Sequence, residues 1–136
     1  MSEQSNALQA ALERWNAGDL AGYLKLYDER IRLYGYSPAP LDKEEVRAFY
    51  QAIFDAFDGP QLEFHETLWE GERCSVRFTM TGTHVAAFMG VPATGLPVAL
   101  PGITILHFEG PRVLERHSSA DMLGLLVALG AVPAAA

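Results

Sequence analysis

The chain has 136 residues, 49% of them hydrophobic and 20% charged. That size and apolar content fit one globular domain, spanning residues 1–136, and exclude a disordered chain. A net charge of -7 excludes nucleic acid as a partner, because the nearest thing to a basic cluster is the sparse pair Arg112 and Arg116.

One cysteine, Cys74, allows no internal disulfide and fits a reducing compartment. The polar start, Met1 to Asn6, lacks the basic and apolar blocks of a secretory signal. No apolar run approaches the roughly 20 residues a membrane span needs. The expectation is a cytoplasmic protein with no membrane partner.

The first half reads as helical. Leu8, Ala11, Leu12 and Trp15 recur at helical spacing, and Gly18 ends that helix. Asp19 caps a short second helix through Leu20, Tyr23, Leu24 and Tyr27. A short strand covers Ile31 to Tyr36. Asp42 and Glu45 form an acidic capping box ahead of a strong helix. Its stripe is Val46, Phe49, Tyr50, Ile53, Phe54 and Phe57, and Gly59-Pro60 closes it.

The second half reads as strands. Leu62 to Leu68 alternates, and Cys74, Val76, Phe78 and Met80 alternate with Ser75, Arg77 and Thr79. Phe88 to Gly95 is a Gly/Pro-rich crossing loop. Val98 to Phe108 is a long strand, with Pro101-Gly102 as a bend. Glu109-Gly110-Pro111 turns into Val113 to Ser118, and residues 122–129 form a terminal helix. Residues 131–136 read as a flexible tail. Helices first and strands after give an α+β domain. A curved antiparallel sheet under N-terminal helices leaves a cone with an internal pocket.

The residues that carry chemistry are few. Asp121 stands just before an apolar run, where a carboxylate serves either as a helix cap or, once desolvated, as a base. His107 shares strand parity with Ile103 and Ile105, which points it at an apolar face. His84 sits at the loop hinge and serves either to fix the loop or to contact a ligand. His117 follows Val113 and Glu115 in parity and is a candidate wall residue. Trp15, Tyr50 and Phe54 are either core or a surface for a flat ligand. On the other parity of the long strands, Leu106, Phe108 and Leu114 look too apolar for solvent, which predicts a homodimer or tetramer. The histidines fall in no local metal motif, and no dinucleotide fingerprint is present. No metal and no cofactor are expected.

Several segments together carry a family likeness. They are Gly82-Thr83-His84, Phe88 to Gly95, Phe108-Glu109-Gly110, Val113-Leu114-Glu115, and Asp121 through Leu126 to Leu129-Gly130. In this order the chain resembles the SnoaL-like polyketide cyclases, of the nuclear-transport-factor-two-like cone fold. The resemblance implies intramolecular aldol cyclisation of an apolar carbonyl substrate, such as a polycyclic one, without metal or cofactor. It implies Asp121 as acid/base and His107 as its strand partner. Beside these, His117, His84, Trp15, Tyr50, Phe54 and Tyr34 are the candidate substrate-binding residues. The short first strand, where the family often carries a polar pocket residue, reads Leu33-Tyr34-Gly35 here. A non-catalytic binding or accessory protein of the same fold is the other function class.

Overall fold

The structure, a computed structural model, describes residues 2–133. The expected flexible tail, 131–136, lies outside the described residues from 134 onward. Helices α1 (Glu3–Asn16) and α2 (Leu20–Tyr23) precede strand β1 (Tyr27–Tyr34). Helix α3 (Lys43–Ala56) follows, then β2 (Phe57–Glu70), β3 (Arg73–His84), β4 (Pro97–Glu109), β5 (Arg112–Ala120) and α4 (Met122–Ala128). The five strands form one unclosed sheet in the order β1-β5-β4-β3-β2. The fold is the expected α+β arrangement of helices against a curved sheet. One departure is that β1 runs parallel to β5, so the sheet is not antiparallel throughout.

Local signals set most boundaries. Ser2 caps α1, and Asp19 caps α2 by accepting the Gly22 N–H. The box on α3 is complete: Asp42 accepts from the Glu45 N–H, and Glu45 accepts from the Asp42 N–H. Two boundaries moved. Strand β1 starts at Tyr27, where pairing with Val113 extends it. Helix α3 stops at Ala56, and Gly59-Pro60 lies inside β2 at a register shift between Asp58 and Gln61. Proline lacks an N–H for the ladder, so it is tolerated in this edge strand at an irregularity.

The loop after β3 is tied at both ends. The His84 N–H donates to the Leu96 carbonyl (2.9 Å), and the Val85 N–H donates to the Ala56 carbonyl (2.8 Å). A tight turn at its tip pairs Phe88 with Val91 and puts Met89 and Gly90 at positive φ.

The sheet's two faces invert one expectation. In β4, Val98, Leu100, Thr104, Leu106 and Phe108 point into the core. Ile103 (54% exposed) and Ile105 (45%) point outward. The outer apolar residues are therefore Ile103 and Ile105, not Leu106 and Phe108, and Leu114 is half-buried. Among the described residues no helix is long and apolar enough to cross a membrane.

One glycine allows a close approach at the sheet's parallel edge. Gly35 ends β1 at φ +117°, and a Cβ there would stand 2.0 Å from the Ser118 carbonyl oxygen. Gly35→Ala should therefore push β1 from β5 and destabilise the protein by well over the ordinary 1 kcal/mol of a point change. Thermal unfolding tests this; an unchanged melting temperature would contradict the close approach.

Candidate active site

Inside the cone the sheet presents one cation to an apolar space. Arg116 lies on β5, where a bulge shifts the register: Phe108 pairs with Val113, but His107 pairs with Glu115. The extra residue turns Arg116 and Ser118 inward. The Arg116 Nε donates to Thr104 Oγ1 (2.9 Å) and Ser118 Oγ (3.1 Å). Thr104, itself buried, donates to the His117 carbonyl (3.1 Å), so its lone pairs are free for the guanidinium.

The other end of the guanidinium meets three phenols. Nη1 donates toward the hydroxyls of Tyr23 (3.1 Å), Tyr50 (2.9 Å) and Tyr27. The hydroxyls of Tyr23 and Tyr27 are 3.1 Å apart, and those of Tyr27 and Tyr50 are 2.7 Å apart. Two such contacts use two phenol protons at most. At least one of the three is left without an acceptor in the cluster. Among the described residues Nη2 has no hydrogen-bond partner. Among the described residues no carboxylate forms an ion pair with Arg116.

Burial decides the charge states. It pushes the phenols of Tyr23, Tyr27 and Tyr50 well above the ordinary tyrosine value, and the pull of Arg116 only partly opposes it. They stay neutral donors rather than bases. Burial also works against the Arg116 charge, but the surrounding phenol oxygens outweigh it and the guanidinium stays protonated.

Of these groups, Arg116, Tyr23 and Tyr50 line a central cavity whose volume, as swept by the centre of a water molecule, is about 40 Å³. Its walls are otherwise apolar and largely aromatic, including Trp15, Phe49, Phe78 and Phe88. The Arg116 guanidinium carbon lies 5.8 Å from the Phe78 ring centre, within cation–π range. Trp15 is buried, and its Nε1 has no hydrogen-bond partner among the described residues. Apart from the hydroxyl oxygens, every polar atom offered here is a donor. A carbonyl, enolate or phenolate oxygen suits such a site.

The sequence-derived candidates divide. Trp15 and Tyr50 line the cavity. Phe54 does not; it packs on Trp15 with ring centres 4.6 Å apart, facing an outer groove near Gly59. His84 is buried, and its Nδ1 accepts the Thr94 N–H (3.2 Å), which fixes the crossing loop. His107 does share a face with Ile103 and Ile105, but that face is the outer one. His117 also points outward, because the β5 bulge reverses its parity. There it stacks on Tyr34, with ring centres 4.4 Å apart and planes 3° from parallel. Asp121 caps α4: Oδ1 accepts the Gly124 N–H (2.8 Å), and the residue is exposed. It lies beside an outer groove with Pro101 and Ile103. Its own helix reaches the cavity through Met122 and Leu125.

Tyr23, like Trp15, reads from the sequence as either core or pocket wall; Arg116 and Tyr36 are the polar cavity residues that sequence reasoning left out. The available signal was a basic residue inside a strand, next to Ser118; reading it needed the bulge. Cys74 is buried, and burial pushes its thiol up to about 11, so it is no nucleophile. Among the described residues no group of three His, Cys, Asp or Glu stands together as metal ligands.

Thr104 is predicted to be a positioning residue. Thr104→Val keeps the shape but removes an acceptor from the Arg116 Nε. Turnover should fall about tenfold while substrate affinity changes little, and Thr104→Ser should recover most of the loss. Equal losses in Val and Ser variants would show a packing effect instead.

A family model described as SnoaL-like polyketide cyclase matches residues 5–129. The chain belongs to the SnoaL-like polyketide cyclase family. Among solved structures, this SnoaL-like protein is similar to AclR of Streptomyces galilaeus, provisionally assigned as a hydroxylase. The two share 30% identity, with 96% of this chain and 98% of that chain covered and a TM-score of 0.88. IdmH of Streptomyces antibioticus, provisionally assigned as a polyketide cyclase, is 25% identical over 93% of this chain and 98% of that one, with a TM-score of 0.79. A SnoaL-like protein from Jannaschia sp. CCS1 shares the fold at 22% identity, covering 96% and 94% of the two chains with a TM-score of 0.84. No curated protein sequence matches the chain.

Proposed function

We propose that this SnoaL-like protein enolises an apolar carbonyl compound in its central cavity, with intramolecular aldol ring closure as the productive outcome. The observation that carries this reading is the half-buried Arg116 guanidinium, ringed by phenol hydroxyls and without a carboxylate partner among the described residues. An enolate oxygen would complete it: charge that develops there meets donors already in place, in a space from which water is largely excluded. Asp121 is the proposed acid/base. In support, it holds the family's position ahead of the last apolar run, its Oδ1 alone is engaged by the helix, and α4 forms part of the cavity wall. The test needs no native substrate. A bicyclic ketone such as 2-tetralone is incubated with the protein in deuterated water, and loss of its α-protons is followed by proton magnetic resonance. Exchange above the buffer rate that disappears in Arg116→Met supports the reading; exchange equal to buffer defeats it.

The likeness to AclR favours one second reading, hydroxylation. The same donors would hold a substrate as its electron-rich enolate or phenolate, the form that reacts with an oxidant. Product that gains an oxygen atom from labelled dioxygen would select that reading over ring closure.

A homodimer is also proposed, through the outer sheet face that carries Ile103 and Ile105. Ile105→Glu should convert the dimer to monomer in sedimentation at micromolar concentration. A wild-type monomer of 14.9 kDa would contradict it.

A further inference from the structure

The polar groups of the cavity specify the charge of its occupant. The site holds one positive charge and no compensating negative one among the described residues. Burying a lone cation is costly, and the cost is recovered when an anion arrives. The free donors agree in sign: Arg116 Nη2 and at least one phenol proton of Tyr23, Tyr27 and Tyr50. Polar atoms cluster at the Arg116 end, while aromatic side chains line most of the remaining wall. A flat apolar body with one acidic oxygen at its edge matches that division.

We propose that the cavity binds an aromatic or conjugated ligand through an acidic hydroxyl, taken up as its phenolate or enolate rather than as the neutral compound. This rests on the reading of Arg116 as the oxygen-binding group. It goes further in assigning ground-state charge selection: the substrate, or the ring-closed product, already carries an ionised enol or phenol when bound. A neutral carbonyl compound that becomes an enolate only fleetingly would not require it.

Three probes of one shape test this. 4-Nitrophenol ionises near neutrality and its phenolate absorbs visible light; 4-nitroanisole is its neutral counterpart; 4-nitrobenzoate carries a carboxylate instead. Binding is measured by absorbance and calorimetry across the ionisation of the phenol. The expected result has three parts. The complex shows the phenolate spectrum at a pH where free probe is mostly neutral. Above the probe's ionisation, 4-nitrophenol binds roughly 10–100-fold more tightly than 4-nitroanisole, the scale of a charge-assisted hydrogen bond. That preference vanishes in Arg116→Met and falls several-fold in Tyr50→Phe, which keeps the ring and guards against a misfolded Met variant.

Equal affinity for 4-nitroanisole overturns the proposal, as does no binding of any probe. A preference that survives in a folded Arg116→Met overturns it too. Tighter binding of 4-nitrobenzoate at every pH assigns the site to carboxylates and overturns the phenolate assignment. The exchange experiment separates the two readings. Phenolate selection without α-proton exchange leaves this inference standing and defeats enolisation; exchange without charge selection does the reverse.

Discussion

Arg116→Met should lower turnover by about 10²–10³-fold, the usual worth of one preorganised oxyanion donor. It should do so without unfolding the protein. Most buried arginines are held by a carboxylate, and removing one strands a charge at a cost of several kcal/mol. Arg116 has no such partner among the described residues, so its removal strands nothing ionic there. Methionine also fits a wall already made of Phe78, Met80 and Leu100. The melting temperature should hold or rise, which is the signature of a residue kept for function at the expense of stability. Arg116→Lys should recover little, because an ammonium cannot reach Thr104 with one nitrogen and the phenols with another. Steady-state kinetics with thermal unfolding on the same preparations checks both halves. A large stability loss with turnover unchanged would make Arg116 a structural residue.

Asp121→Asn should lower turnover by about 10²–10⁴-fold, the range for a placed general base. Asparagine caps helices as well as aspartate does, so α4 should stay formed and the stability change should be small. Asp121→Ala, by contrast, loses both cap and carboxylate, and should cost about 1 kcal/mol in addition. This pair matters because Asp121 is exposed and bonded to the Gly124 N–H. An exposed carboxylate is a weak base; it gains strength when a ligand laid against α4 removes its water. An Asn variant with full turnover would leave Asp121 as a cap alone. The α-protons would then have to leave to a group outside the carboxylates, and the phenols are poor candidates because burial keeps them protonated.

Local chemistry was legible in the chain. The Asp42–Glu45 box, the Asp19 and Asp121 caps and the period-2 run from Cys74 to Met80 each depend on residues a few positions apart. Aromatic residues of the first helices, Trp15 and Tyr50, could be placed at a cavity because amphipathic helices must turn them inward. What stayed hidden turns on parity and long-range register. The β5 bulge between the partners of His107 and Phe108 sends Arg116 in and His117 out, and no local signal marks it. The side-chain period of a strand is two, so one unpaired residue reverses every assignment after it. The inner face of β4 was likewise a choice between two apolar rows, Ile103 with Ile105 against Leu106 with Phe108, and only packing against the helices decided it. The sequence by itself determined the elements, their caps and the family. Tertiary structure decided which cation those elements enclose, because Tyr23, Tyr27, Tyr50, Thr104 and Arg116 span more than 90 positions of chain and meet only when the sheet curls.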